Sequence, residues 1–294
     1  MSYNSQPVLR VLVFGATGVG KTSVCNVLTG GNRPTSNGPL GVTAKTHLYA
    51  PFQFGDFRIQ LTDTAGLHES SGGTVPPDQA VMQIVELLQN SAEGFHLLLH
   101  VARASRLTKE QEEDHDFFVR KLTDGRVPTL LVLTHCENED PMSAWVDRHA
   151  SAFASFGYAD LVPGCFASGG KLEEHYSPLR ASSREEVLKQ IVRRALPQAH
   201  LLYGGGTGRS MMDVVFDLWN RFVELANLPR EYRRRTNEGA VQLLRRLGVS
   251  EKIAQMAAKH LPDVLGEVAS KVPVPGSASL VKWLSAALLR GLKK

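Results

Sequence analysis

Gly15-Ala16-Thr17-Gly18-Val19-Gly20-Lys21-Thr22 decides how the rest of the chain is read. The stretch fits the pattern G-x-x-x-x-G-K-[ST] at every fixed position. Its surroundings agree. Val8 to Phe14 (VLRVLVF) is apolar and β-branched and reads as a buried strand, and Thr22 to Leu28 reads as the start of a helix. A chance glycine-rich turn would need neither neighbour. The glycines let the backbone wrap closely around phosphate oxygens, because no Cβ stands in the way. Loop N–H groups and the helix N-terminus direct positive partial charge at the phosphates. On this reading Gly15, Thr17, Gly18, Val19, Gly20 and Ser23 contact a nucleotide, Lys21 reaches its β- and γ-phosphates, and the Thr22 hydroxyl ligates Mg2+.

Around this loop the chain alternates strands with helices. Residues 30 to 44 are rich in Gly, Pro, Asn and Ser and read as a loop. Lys45 to Phe52 and Phe57 to Leu61 read as strands joined at Gly55-Asp56. Ala80 to Leu88 has helical periodicity, Phe95 to Val101 reads as a strand, and Thr108 to Leu122 as a charged helix capped by Thr108. Strands at 127–133 and 161–166 and helices at 142–156 and 184–195 follow. Such alternation predicts an α/β fold: a mainly parallel sheet with helices on both faces. Ligands of these sheets bind at the carboxyl ends of the strands.

The expected organisation is a nucleotide-binding domain over 1–200, a glycine-rich linker over 201–210 and a helical extension over 211–294. The tail, Ser279 to Lys294, spaces Leu280, Val281, Leu284, Leu288 and Leu292 helically among basic residues. It suits peripheral contact with an anionic membrane, or packing on the rest of the protein. A net charge of +4 does not call for a nucleic-acid partner, and none is expected. Three scattered cysteines, Cys25, Cys136 and Cys165, have no metal-binding spacing and suggest a reducing compartment. With no signal-peptide pattern at the N-terminus, the expected location is cytoplasmic, membrane-associated if the tail engages lipid.

Three further segments extend the site. Asp63-Thr64-Ala65-Gly66 follows a strand, which puts the Asp63 carboxylate near the metal and the Gly66 N–H near the γ-phosphate. Thr43 offers a second hydroxyl to Mg2+, with Thr35 and Thr46 as rivals, and makes 30–44 a switch segment. Thr134-His135-Cys136-Glu137 stands where guanine-specific proteins carry [NT]-K-x-D. There His135 would stack on the base and Glu137 would accept from the guanine N1–H and N2 amino group. The alternative is an acidic loop without base specificity. Ala167-Ser168-Gly169 stands where the backbone would meet the guanine O6. Leu67 occupies the position after Gly66 where many GTPases place a water-orienting Gln, so intrinsic hydrolysis should be slow unless His68 or another group completes the site.

The series GATGVGKTS, GVTAKT, LTDTAGL and FHLLLHVARASRLTKEQEEDHDFF resembles the AIG/GIMAP group of GTPases, relatives of the septins and of the chloroplast import-receptor GTPases. Arg106-Leu107-Thr108-Lys109-Glu110 matches the first five positions of that group's R-x-T-x-E-E box. The resemblance covers about residues 8 to 170. It implies a Ras-like P-loop GTPase domain with a helical C-terminal extension, GTP or GDP with Mg2+ as ligands, and a homodimer formed in the GTP state. On this view Lys21, Thr43, Gly66 and Arg106 are the catalytic set, with Arg106 offered by one copy to the nucleotide of the other. Arg103 is its nearby rival, and pairing of Arg106 with Glu110 is the alternative. Glu137 departs from the usual Asp of the base motif. An ATP-dependent P-loop enzyme and a non-hydrolysing, nucleotide-dependent scaffold are the competing functions.

Overall fold

The computed structural model describes residues 8–34, 46–64, 87–88, 90–105, 108–154, 157–158, 161–167, 170–205, 207–209, 214 and 217–218. The chain divides into two compact units, one made of Met1–Thr74 with Glu93–His200, the other of Val75–Ala92 with Leu201–Lys294.

The first unit is built on one sheet. Its strands are β1 (Val8–Phe14), β2 (His47–Leu48), β3 (Phe52–Phe54), β4 (Phe57–Asp63), β5 (Leu97–Arg103), β6 (Thr129–Thr134) and β7 (Leu161–Pro163). They lie in the order β2-β4-β1-β5-β6-β7, with β3 also on β4. β1 runs parallel to β4 and β5, and β5, β6 and β7 are parallel to one another. Among the described residues, only β2 and β3 are antiparallel, both against β4. The central strands read as continuous apolar runs because both of their faces are covered.

Alternation along each strand divides the core. Val11 and Val13 of β1, Leu97, Leu99 and Val101 of β5, and Leu130 and Val132 of β6 share one cluster with Val24 and Leu28 of α1 (Lys21–Thr29). Val187, Leu188 and Ile191 of α4 (Glu173–Arg194) complete it. The intervening residues turn to the other face. There Leu131 and Leu133 meet Val146 and Phe153 of α3 (Ala144–Ala154), and Phe14 packs on Phe118 with centroids 4.6 Å apart. Each large side chain buried this way contributes about 1.5–3 kcal/mol. The mainly parallel sheet with helices on both faces is therefore as expected.

Local departures have local causes. The strand expected over 45–52 is two short pieces, with Pro51, which has no N–H for a ladder, at the break. Gly55 makes the following turn at φ +54°. The helix after β5 starts as expected: Thr108 accepts from the Gln111 N–H while the Gln111 side chain accepts from the Thr108 N–H, a capping box. It stays α-helical only over α2 (Lys109–His115) and continues as a π-helical stretch over Asp116–Leu122. β7 stops at Pro163 rather than reaching Phe166. α4 starts at Glu173, well before the expected Arg184, and carries Pro178 within it. Its opening is polar and unpatterned, but Glu173 and Glu174 suit a helix N-terminus.

In the second unit, Leu87 and Leu88 are helical and buried, and the Tyr203 hydroxyl donates to the Leu88 carbonyl over 2.8 Å. Leu202 and Tyr203, in the stretch expected as a linker, are buried. Arg209 pairs with Asp217 at 2.6 Å. Residues 80–86 of the expected helix and the tail 279–294 lie outside the described residues. Among the described residues, no helix is long and apolar enough to cross a membrane.

Candidate nucleotide site

The phosphate-loop sequence leaves the carboxyl end of β1 and enters α1. Gly15, Gly18 and Gly20 sit at φ +141°, +75° and +97°, backbone that side chains rarely tolerate. At Gly15 a Cβ would lie 2.1 Å from the Val101 carbonyl oxygen, so no other residue fits there. Gly20 is the N-cap of α1 and brings no side-chain cap, which leaves the first turn's N–H groups facing the loop. Thr17 and Gly18 are exposed, Val19 buried. Lys21 is only 6% exposed and its ammonium donates to the carbonyls of Gly15 (2.8 Å) and Ala16 (2.9 Å). A cation is thus held over the loop by its own backbone.

Thr22 and Asp63, far apart in sequence, meet here. The Thr22 hydroxyl donates to Asp63 Oδ2 over 3.1 Å, and Asp63 is fully buried at the end of β4. A hydroxyl and a carboxylate, both hard oxygen donors, fit Mg2+, which typically takes one or two protein oxygens and completes its shell with phosphate and water. Among the described residues, no three His, Cys, Asp or Glu side chains gather as a metal cage, and such a metal needs none. Arg33 also reaches this place, with Nη1 4.0 Å from Asp63 Oδ2.

The base side begins where β6 ends. Thr134 Oγ1 donates to the Val19 carbonyl over 2.8 Å and lies 2.9 Å from His135 Nδ1. His135 sits at φ +63°, an uncommon conformation for a residue with a Cβ. Burial, helped by the Arg103 charge, lowers its pKa and favours a neutral ring. Glu137 is half-buried, and its Oε2 is buried without a hydrogen-bond partner among the described residues. Burial pushes the neighbouring Cys136 thiol up to about 11 and raises that of Cys165, so both stay protonated. The loop after β7 is tied to α4: the Cys165 N–H donates to Ser183 Oγ over 2.9 Å, and Arg180 donates to the Ala167 carbonyl over 3.0 Å while pairing with Glu173.

Beneath the loop lies a polar pair in an apolar setting. His100 of β5 stacks on Phe14 at 4.5 Å and shares a short hydrogen bond with the Tyr158 hydroxyl. Burial, with His115 and Lys21 nearby, pushes its pKa down to about 3. Asp114 of α2 is buried too, and burial raises its pKa to about 7 against the opposing pull of Lys21.

Of the residues expected from sequence, Lys21, Thr22 and Asp63 come together, and Thr134 joins the loop at Val19 with His135 beside it. Thr43, Gly66, Arg106 and Ser168 lie outside the described residues. Arg33, His100, Asp114 and Arg180 were not anticipated. Each is a single polar residue in a loop, an apolar strand or a charged helix, and no spacing marks it.

Residues 10–135 match the family model described as 50S ribosome-binding GTPase. The match takes in the phosphate loop, Asp63 and Thr134, so residues 10–135 are similar to a P-loop GTPase domain. The resemblance to AIG-type GTPases has a counterpart in Immune-associated nucleotide-binding protein 10 of Arabidopsis thaliana, 36% identical over 111 residues, which make up 37% of this chain and 23% of that one. GTPase Der of Gloeobacter violaceus is 31% identical over 101 residues, 31% of this chain and 22% of that one. The matched stretches thus span less than a quarter of these relatives. Among solved structures, Toc33 from Arabidopsis thaliana in complex with Mg2+ and GMPPNP is similar at 18% identity, covering 76% of this chain and 86% of that one with a TM-score of 0.41.

Proposed function

We propose that the chain is a guanine-nucleotide switch that binds GTP with Mg2+, hydrolyses it slowly and pairs with a second copy in the GTP state. The observation that carries this reading is the buried Oε2 of Glu137, without a partner among the described residues, at the base end of the site whose phosphate end joins Thr22 to Asp63. An acceptor left over there matches the two donors that guanine has and adenine lacks. Lys21 leaves the Gly15 and Ala16 carbonyls for the β- and γ-phosphates, and the loop N–H groups hold the phosphate oxygens. Thr22 and Asp63 hold the metal, with Thr43 as a further ligand, and the bound metal neutralises charge on the phosphates. Ala167 and Ser168 meet the base through their backbone, with Ala167 tethered by Arg180.

Leu67 has no polar group to orient water, so turnover is slow in a single copy. Gly66 meets the γ-phosphate, and Arg106 of a second copy supplies the missing charge. An arginine in that role speeds phosphoryl transfer on the order of 10³–10⁵-fold. The protein works in the cytoplasm, with 279–294 as a candidate membrane contact.

The test is to identify the nucleotide released from denatured protein, then to compete GTP against ATP and measure turnover per molecule against protein concentration. Guanine nucleotide, preference for GTP and turnover that rises with concentration support the reading. Equal binding of ATP points to an ATP-dependent enzyme, and flat, slow turnover removes the dimer and Arg106 from it.

A further inference from the structure

Arg33 follows α1 in a stretch that reads as plain loop. Asn26, inside α1, clasps its backbone: Asn26 Nδ2 donates to the Arg33 carbonyl over 2.8 Å and the Arg33 N–H donates to Asn26 Oδ1 over 3.0 Å. This clasp fixes the root of the side chain against the helix that begins at Lys21. The guanidinium carbon stands 5.7 Å from the centroid of the buried Tyr49 ring, within cation–π range. Nη1 points to Asp63 Oδ2, the same oxygen that accepts from Thr22. At 4.0 Å the contact is an ion pair and not a hydrogen bond. The side chain remains 36% exposed, so it can withdraw into solvent, whereas Asp63 is fully buried and cannot.

We propose that Arg33 is a built-in counter-cation for Asp63, neutralising the carboxylate while Mg2+ is absent and yielding its place when Mg2+ binds. The inference rests on the reading of Thr22 and Asp63 as the metal side of a guanine-nucleotide site. A buried carboxylate without a counter-charge is costly, and beside phosphates it also repels them. Arg33 relieves both penalties in the metal-free complex. A guanidinium and a divalent cation at contact distance from one oxygen repel each other, so metal binding displaces Arg33. Nucleotide retention should then depend less on Mg2+ than in a site without this arginine.

The experiment measures release of a fluorescent GDP analogue from the full chain in Mg2+ and in EDTA, for wild type, Arg33→Gln and Arg33→Lys. Chelation should speed release about tenfold more in Arg33→Gln than in wild type, the effect of losing one charge pair worth ~1.4 kcal/mol. In Mg2+, release from Arg33→Gln should be equal or slower, and Arg33→Lys, which keeps the charge, should resemble wild type. An EDTA response in Arg33→Gln equal to that of wild type overturns the role of Arg33 alone. So does faster release by the same factor with and without metal, which is the mark of a nucleotide contact or of a loosened fold. Failure of wild type to bind the analogue in Mg2+ overturns the guanine-nucleotide reading and the inference with it.

Discussion

The hydroxyl of Thr134 donates to the carbonyl oxygen of Val19 over 2.8 Å, joining residues 115 positions apart. The last residue of β6 is thereby fastened to the middle of the phosphate loop. The same side chain backs Gly20, whose added Cβ would lie 3.5 Å from Thr134 Cγ2. One residue thus sets the spacing between the base end and the phosphate end of the site. Thr134→Val keeps the shape but leaves the Val19 carbonyl without its donor. The expected cost is about 1–3 kcal/mol, seen as a lower midpoint in urea, with weaker GTP binding as well. Thr134→Ser should behave almost as wild type. If both variants bind and melt alike, the hydroxyl is not the link.

Lys21 is a buried cation held by two carbonyls. Its charge is costly to keep out of water unless phosphate arrives. Lys21→Ala should therefore be at least as stable as wild type without nucleotide, yet lose most of the thermal stabilisation that GTP confers. Calorimetry should show GTP affinity lowered at least about a hundredfold, since charge-assisted contacts to phosphate are the strong kind. An unchanged affinity would remove Lys21 from the phosphate site.

Glu137 makes the same kind of bargain at the base end. Glu137→Ala removes a buried acceptor that has no partner among the described residues, so the empty protein should lose little stability. The guanine donors would lose their partner, at about 1–3 kcal/mol. The GTP over ATP preference should then fall roughly 5- to 150-fold, read by competition binding. A preference that survives the substitution would assign base reading to another group.

His100 and Asp114 predict opposing pH effects. Burial holds His100 near 3 against an ordinary 6.5. The unfolded chain takes up that proton first, so this contribution is present above pH 6.5 and is lost as pH falls toward 3. Asp114, raised to about 7 from 3.8, does the reverse: its contribution is present below 3.8 and is lost as pH rises toward 7. Between about pH 4 and 6.5 the two slopes cancel, each being up to ~1.4 kcal/mol per pH unit. Urea midpoints of Asp114→Asn should rise with pH across this window, and those of His100→Gln should fall. Parallel profiles in the two variants would show that neither group is perturbed in this way.

What the sequence made legible was contiguous. Gly15 to Thr22, and Asp63 and Thr134-His135 at strand ends, belong to short patterns of adjacent residues, and the structure gathers them at one end of the sheet. The sheet was legible for a similar reason, because strands buried on both faces spell unbroken apolar runs. Arg33, His100 and Arg180 were not, because their partners Asp63, Tyr158 and Ala167 come from other elements. The early start of α4 was hidden by Pro178 and by the lack of any apolar rhythm before Arg184. Tertiary contact overrode weak local preference there.

The change of pitch at Asp116 bears on how relatives of this chain should be compared. A π turn takes in an extra backbone unit relative to an α turn. Gln111 and Asp114 before the change, and Phe117 and Phe118 after it, all face inward. Removing one residue within 116–122 would restore ordinary pitch and swing one half of the helix by about 100° against the other. Gln111 and Asp114, or the two phenylalanines, would then leave the interior. A one-residue alignment gap here is therefore not loop variation but a rotation, and a relative that carries it presents different side chains beneath its phosphate loop.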